Sequence, residues 1–145
     1  MAAVAALLHV DRIISDGIDK RLRANAGLTL GQYEVLRRIC EAPEGRLRMV
    51  DISDSLCVSK SGVTQLVDRL EEARLVERQF QPSDRRLTYA KITAAGRETI
   101  RRLTPEVLQA VHEHFARHLT EQELRCVHQA LAKVQSGNPG RLAPA

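Results

Sequence analysis

Residues 58–96 read VSKSGVTQLVDRLEEARLVERQFQPSDRRLTYAKITAAG, and this stretch decides the fold. Val63, Leu66, Val67 and Leu70 fall at i, i+3, i+4 and i+7, which makes one face of a helix. The other face begins with Ser59, Lys60, Ser61, Thr64 and Gln65. These are small hydroxyls, a cation and an amide, with no acid among them. Such a face can enter a DNA major groove without repelling phosphate. Two strand-like runs follow, Leu75 to Phe80 and Leu87 to Ile92, and the loop between them contains Pro82-Ser83-Asp84. Asp84-Arg85-Arg86 then sits where a hairpin tip would be.

Working outward, Met49 to Leu56 predicts a short helix, with Ile52 and Leu56 inward and the small Ser53 where a second helix can cross closely. A tight turn at Cys57-Val58 joins it to the next helix, giving a helix-turn-helix, and the hairpin supplies a wing. Leu47 is a single short strand. Thr29-Leu30-Gly31-Gln32 has the capping-box pattern and starts a helix carrying Tyr33, Leu36, Ile39 and Cys40, which stops before Pro43-Glu44-Gly45. Val4, Leu7, Leu8, Ile14 and Ile18 mark a long first helix. On the other side, Thr93 caps a long fifth helix, and Pro105, lacking an N–H, is expected to kink or restart it. Thr120 and Glu123 form a second capping box ahead of the stripe Leu124, Val127, Leu131 and Val134. The fold class is therefore mainly α with a small β-hairpin wing, in one domain. A DNA-binding lobe covers residues 29–102, and dimerisation helices cover 1–25 and 103–135. The tail, 136–145, is expected to fray.

Composition limits the function. The chain has 145 residues, 43% hydrophobic and 28% charged, consistent with one soluble domain. Aromatics are 3%, which argues against stacking platforms for single-stranded nucleic acid. No run is apolar for long enough to span a membrane, and residues 2–10 lack the basic start of a secretory signal. Three cysteines at unrelated spacings make no disulfide framework, so a cytoplasmic location is expected. Residues 46–102 carry 12 Lys/Arg against 8 Asp/Glu, and the segments on either side balance. The whole net charge of +4 thus lies in the segment that holds the acid-free helix face, as a nucleic-acid footprint would.

At this point the chain resembles the MarR family of transcriptional regulators. That family's wing pattern is Asp-x-Arg, five residues, Leu or Ile, Thr, two residues, Gly. Asp84, Arg86, Ile92, Thr93 and Gly96 match it in full. The run from Val58 to Leu70 is also similar to the family's recognition helix. Cys57 and Arg74 stand where relatives often have Gly, and either one would be strained if it kept left-handed geometry. The resemblance implies a homodimeric repressor on an inverted-repeat duplex, released by a small aromatic or anionic effector. Ser59, Lys60 and Ser61 sit at the helix N-terminus, where free N–H groups favour phosphate. Thr64 and Gln65 come next and are assigned to base edges, and Gln can bond adenine through N6 and N7. Arg69 completes the helix contacts. In the wing, Arg86 resembles the family's minor-groove arginine, Asp84 orients it and Arg85 reaches phosphate. Taken alone, such charges are an ordinary solvated hairpin. Asp68, an acid on the same helix, is expected to turn away and pair with a cation such as Arg86 or a neighbour of Arg69.

Two sensing alternatives stay open within the family. His114 and His118, spaced i, i+4 on the fifth helix, would share a face as metal ligands do, although solvent or interface histidines are the plainer reading. Cys57 could respond to oxidants, whereas Cys40 and Cys126 read as buried small hydrophobes. No metal or cofactor is assigned. An enzyme is not expected, because the chain has no phosphate loop, nucleophile elbow or metal-hydrolase motif. A winged helix that binds only protein is the remaining alternative, but it needs neither the acid-free helix start nor the arginine-tipped hairpin.

Overall fold

The computed structural model describes residues 1–56, 58–81 and 84–138, with the side chains of 81–87 left out of the description. Two compact units result. Among the described residues, one holds 1–30 and 103–138, and the other holds 31–102.

In the second unit, helix α2 (Leu30–Glu41) leads through a 3₁₀ turn at Pro43–Gly45 into strand β1 (Arg46–Arg48). The turn is tight: Glu44 has φ 60° and Gly45 φ 65°. The positive φ favours glycine at position 45, and a Cβ there would also crowd Ile92 Cγ2 at 2.9 Å, whereas the end of the Arg97 side chain could swing aside. Helix α3 (Met49–Leu56) and helix α4 (Lys60–Glu72) follow, then strands β2 (Val76–Gln81) and β3 (Asp84–Ile92). The sheet order is β1-β3-β2, antiparallel throughout. Arg46, Leu47 and Arg48 pair with Lys91, Ala90 and Tyr89. Val76 pairs with Ile92 and Phe80 with Thr88, and the register shifts after Phe80. Leu47 is therefore a strand, as expected, and serves as the third strand of the wing sheet.

The core of this unit is aliphatic. Val35, Leu36 and Ile39 from α2, Ile52 from α3, and Val63, Val67 and Leu70 from α4 are all fully enclosed. Val76, Ala90 and Ile92 close it from the sheet. Ser53 is buried too, and its hydroxyl donates to the Val58 carbonyl at 2.8 Å. A larger side chain would separate α3 from the turn. Leu56, expected inward, is only half-buried.

Helix α4 ends in a Schellman-type turn: Arg74 N–H reaches Glu71 O at 2.8 Å and Leu75 N–H reaches Leu70 O at 2.9 Å. Arg74 holds φ 58°, the left-handed geometry that glycine accepts freely. The neighbouring Thr93 caps helix α5 (Ala94–His114) by accepting from Gly96 N–H at 3.0 Å. A Cβ on Gly96 would lie 2.2 Å from the Leu75 carbonyl, which explains that glycine of the wing pattern by close approach of two backbones.

In the first unit, helix α1 (Ala2–Ala26) stops at Gly27, φ 66°, whose N–H bonds Arg23 O. Asp19 Oδ1 accepts the Leu30 N–H at 2.8 Å. Arg21 ties α1 to α5 through Glu106 at 3.2 Å and Glu113 at 2.6 Å. The Arg21 guanidinium holds the Glu113 carboxyl below its ordinary pKa. Pro105 lies inside α5 and does not restart it. One backbone bond is lost, and the helix continues to His114. It then breaks at Phe115 (φ −139°, ψ −67°) into a 3₁₀ turn, Ala116–His118. Helix α6 (Glu121–Ser136) starts with the expected capping box between Thr120 and Glu123. Ile18, Leu22, Leu103 and Ala110 are buried, but Val4, Leu7, Leu8, Leu108 and Val134 are half or more exposed. No helix among the described residues is long and apolar enough to cross a membrane.

Candidate nucleic-acid interface

Helix α4 starts where its sequence predicts. Ser59 is the N-cap, in extended geometry, and its Oγ accepts from Gly62 N–H at 3.1 Å. That oxygen also lies 3.1 Å from Ser61 Oγ. Thr64 donates its hydroxyl to the Lys60 carbonyl at 2.9 Å, so its oxygen keeps acceptor capacity only. Ser59, Lys60, Ser61, Thr64 and Gln65 are all exposed. Among the described residues the Gln65 amide and the Lys60 ammonium have no partner. The first turn contains no acid, so the positive end of the helix is uncancelled. Chemically this end can take phosphate on its N–H groups and Lys60, and a base edge on Gln65.

Arg69 pairs with Glu72 at 3.5 Å, but both side chains are well exposed. Such a solvated pair is weak and leaves the arginine free to exchange partners. Asp68 does turn to a cation, and among the described residues that cation is not a neighbour of Arg69; the side chain of Arg86 lies outside the described residues. The cation is Arg78 on β2, with Nη2 2.6 Å from Asp68 Oδ1. Arg78 also binds Glu71 at 2.7 Å. The signal for it was present: strand alternation puts Arg78 on the same side as the buried Val76, which faces α4.

Beside α4 lies a cleft of about 550 Å³, lined among others by Arg48, Val50, Lys60, Thr64, Asp68, Arg78 and Phe80. Phe80 and Val50 are exposed on it. Arg48 is held by both carboxylate oxygens of Asp51, each at 2.7 Å. None of Arg48, Val50, Arg78 and Phe80 was picked out from the sequence as part of this face. Asp84 begins β3, but the side chains of Asp84, Arg85 and Arg86 lie outside the described residues, as does Cys57.

The histidine pair does not form as spaced. His114 ends α5 and His118 belongs to the following turn, so the helical i, i+4 relation is lost at Phe115. His118 Nε2 instead lies 3.2 Å from the Glu113 carbonyl oxygen, and the His114 ring occupies the space a side chain on Gly17 would need. No group of three potential metal ligands occurs among the described residues. Cys40 is half-buried and Cys126 is exposed, so neither is the enclosed hydrophobe expected.

Comparison with known proteins gives a consistent result. A model of the MarR family matches residues 26–87. The crystal structure of AbsC, a MarR family transcriptional regulator from Streptomyces coelicolor, is 33% identical. It covers 92% of this chain and 89% of its own, with a TM-score of 0.82. Sco3205 from the same organism, a MarR family regulator solved in complex with DNA, is 27% identical with a TM-score of 0.86, covering 97% and 89%. CouR from Rhodococcus jostii, solved bound to p-coumaroyl-CoA, is 27% identical with a TM-score of 0.76, covering 89% and 88%. The chain spans about half the length of the curated transcriptional regulators it matches.

Proposed function

Since the chain belongs to the MarR family of winged helix-turn-helix transcriptional regulators, we propose that it is a repressor whose homodimer occupies an inverted-repeat operator. The observation that carries this reading is the exposed, acid-free start of α4, where Lys60 and Gln65 stand unpartnered among the described residues next to the three-stranded wing sheet. Ser59, Lys60, Ser61 and Arg69 take phosphate, Thr64 and Gln65 read base edges, and the Arg86-tipped wing, with Asp84 and Arg85, enters the minor groove. Half-site centres lie about one helical turn apart, roughly 34 Å. A small aromatic or anionic molecule releases the operator. Support for this last step comes from CouR, a relative solved with an aromatic acyl thioester.

The test is affinity for a panel of duplexes, first selected from random sequence, at several salt concentrations. Gln65→Ala should cost about 1–3 kcal/mol on the best duplex and flatten preference at one base pair per half-site. Arg86→Ala should weaken binding across sequences and make the salt dependence shallower, because fewer counterions are released. If Arg86→Ala stays folded and keeps both affinity and salt slope, the wing assignment is wrong. Selection that returns only single, unpaired sites rejects the dimeric operator.

A further inference from the structure

Helix α4 bears two carboxylates on the flank next to its exposed DNA-facing start. Asp68 lies one turn beyond Thr64 and Glu71 the next turn on, both about half exposed. Asp68 and Thr64 line one cleft with Lys60. Two negative charges here would repel the phosphates that Lys60 attracts. Arg78 meets both. Its Nη1 lies 2.7 Å from Glu71 Oε2 and its Nη2 lies 2.6 Å from Asp68 Oδ1. Its backbone N–H donates to the other Glu71 oxygen at 3.1 Å, and Nη2 reaches the Thr64 carbonyl at 3.4 Å. The guanidinium thus spans two turns of α4, and the Arg78 side chain is only 21% exposed. A lysine ammonium, a single point charge, has no such fork.

We propose that Arg78 is a positioning residue for DNA binding: it holds the Asp68 and Glu71 carboxylates and cancels their charge, so that the recognition helix can approach phosphate. This rests on the DNA-binding reading above and adds a residue that acts through two others rather than on DNA. The experiment compares Arg78→Gln, the triple variant Arg78→Gln/Asp68→Asn/Glu71→Gln, and the double variant Asp68→Asn/Glu71→Gln on one selected duplex. Helical content and melting temperature serve as fold controls. Arg78→Gln should bind about tenfold more weakly at low salt, with the deficit shrinking as salt screens the exposed acids. The triple variant should return to within about threefold of the unaltered protein, because the acids that needed masking are gone. The double variant, which keeps the arginine, should bind at least as tightly as the unaltered protein. The proposal is overturned if folded Arg78→Gln binds normally, or if the folded triple variant stays as weak as the single one. Should Arg78→Gln not fold, the double variant decides, and weaker binding by it overturns the proposal. Failure of the unaltered protein to bind any duplex overturns the DNA-binding reading and this one with it. Failure confined to the variants overturns this one alone.

Discussion

Arg74 shows how a single residue can be strained and still be kept. It occupies the left-handed position that closes α4, a place glycine fills freely, and a Cβ there costs roughly 1–2 kcal/mol. Its N–H and that of Leu75 both satisfy carbonyls of the last turn, so the turn is held by the hydrogen bonds rather than by local preference. Arg74→Gly should therefore raise stability by about 1 kcal/mol, less the extra freedom glycine gains in the unfolded chain. Urea melts at fixed slope would read this directly, and a loss of stability would mean the arginine side chain does more than occupy the turn. The sequence was enough to single out Arg74, because the family resemblance implies that glycine is common there. It was not enough for Glu44, which holds φ 60° with no such pattern to mark it. The same limit applied to Asp68. That an acid on this helix needs a cation follows from charge alone, but choosing Arg78 required the packing of β2 against α4.

At the scale of elements, periodicity and capping chemistry placed every helix. The ends that carried explicit signals came out closest: Ser59 opens α4, Thr93 opens α5 and Thr120 opens α6. What was misread came from continuity. The fifth helix, capped by Thr93, reads as continuous through His118, because His114 and His118 are spaced i, i+4 as on a helix. The break at Phe115 has no glycine or proline to announce it. Between elements, the Arg21 link from α1 to Glu113 on α5 makes a pH prediction. Glu113 titrates below its ordinary 4.5 when folded, chiefly through its hydrogen bond to Arg21. A lowered folded pKa gives stability that is present above the unfolded value and is lost as pH falls through the folded one. Arg21→Ala should therefore lower the melting temperature by a constant amount above about pH 5, and the gap should close as pH falls below about 4. A gap that persists unchanged at low pH would assign the loss to packing instead of charge.

For the whole molecule, the exposed side chains of Val4, Leu7, Leu8, Leu108 and Val134 set the next expectation. Apolar stripes on helices of this length require a cover, and a two-fold mate also supplies the second recognition helix an inverted repeat demands. The protein should behave as a dimer in light scattering at micromolar concentration, and Leu8→Glu should shift it toward monomer. A stable monomer for the unaltered chain would reject the pairing. The wing sheet carries a different implication. Its strand order places β1 beside β3, so Leu47 meets Ala90 across a long loop, whereas β2 and β3 are neighbours along the chain. Closing a long loop costs entropy before any contact repays it. The hairpin and the α3–α4 pair can therefore assemble first, with β1 docking after the rate-limiting barrier. Leu47→Ala should speed unfolding while leaving the refolding rate within about twofold, a φ-value near zero in a chevron measurement. A slowed refolding limb would instead put β1 in the nucleus, and the edge strand would then be where this lobe begins to form.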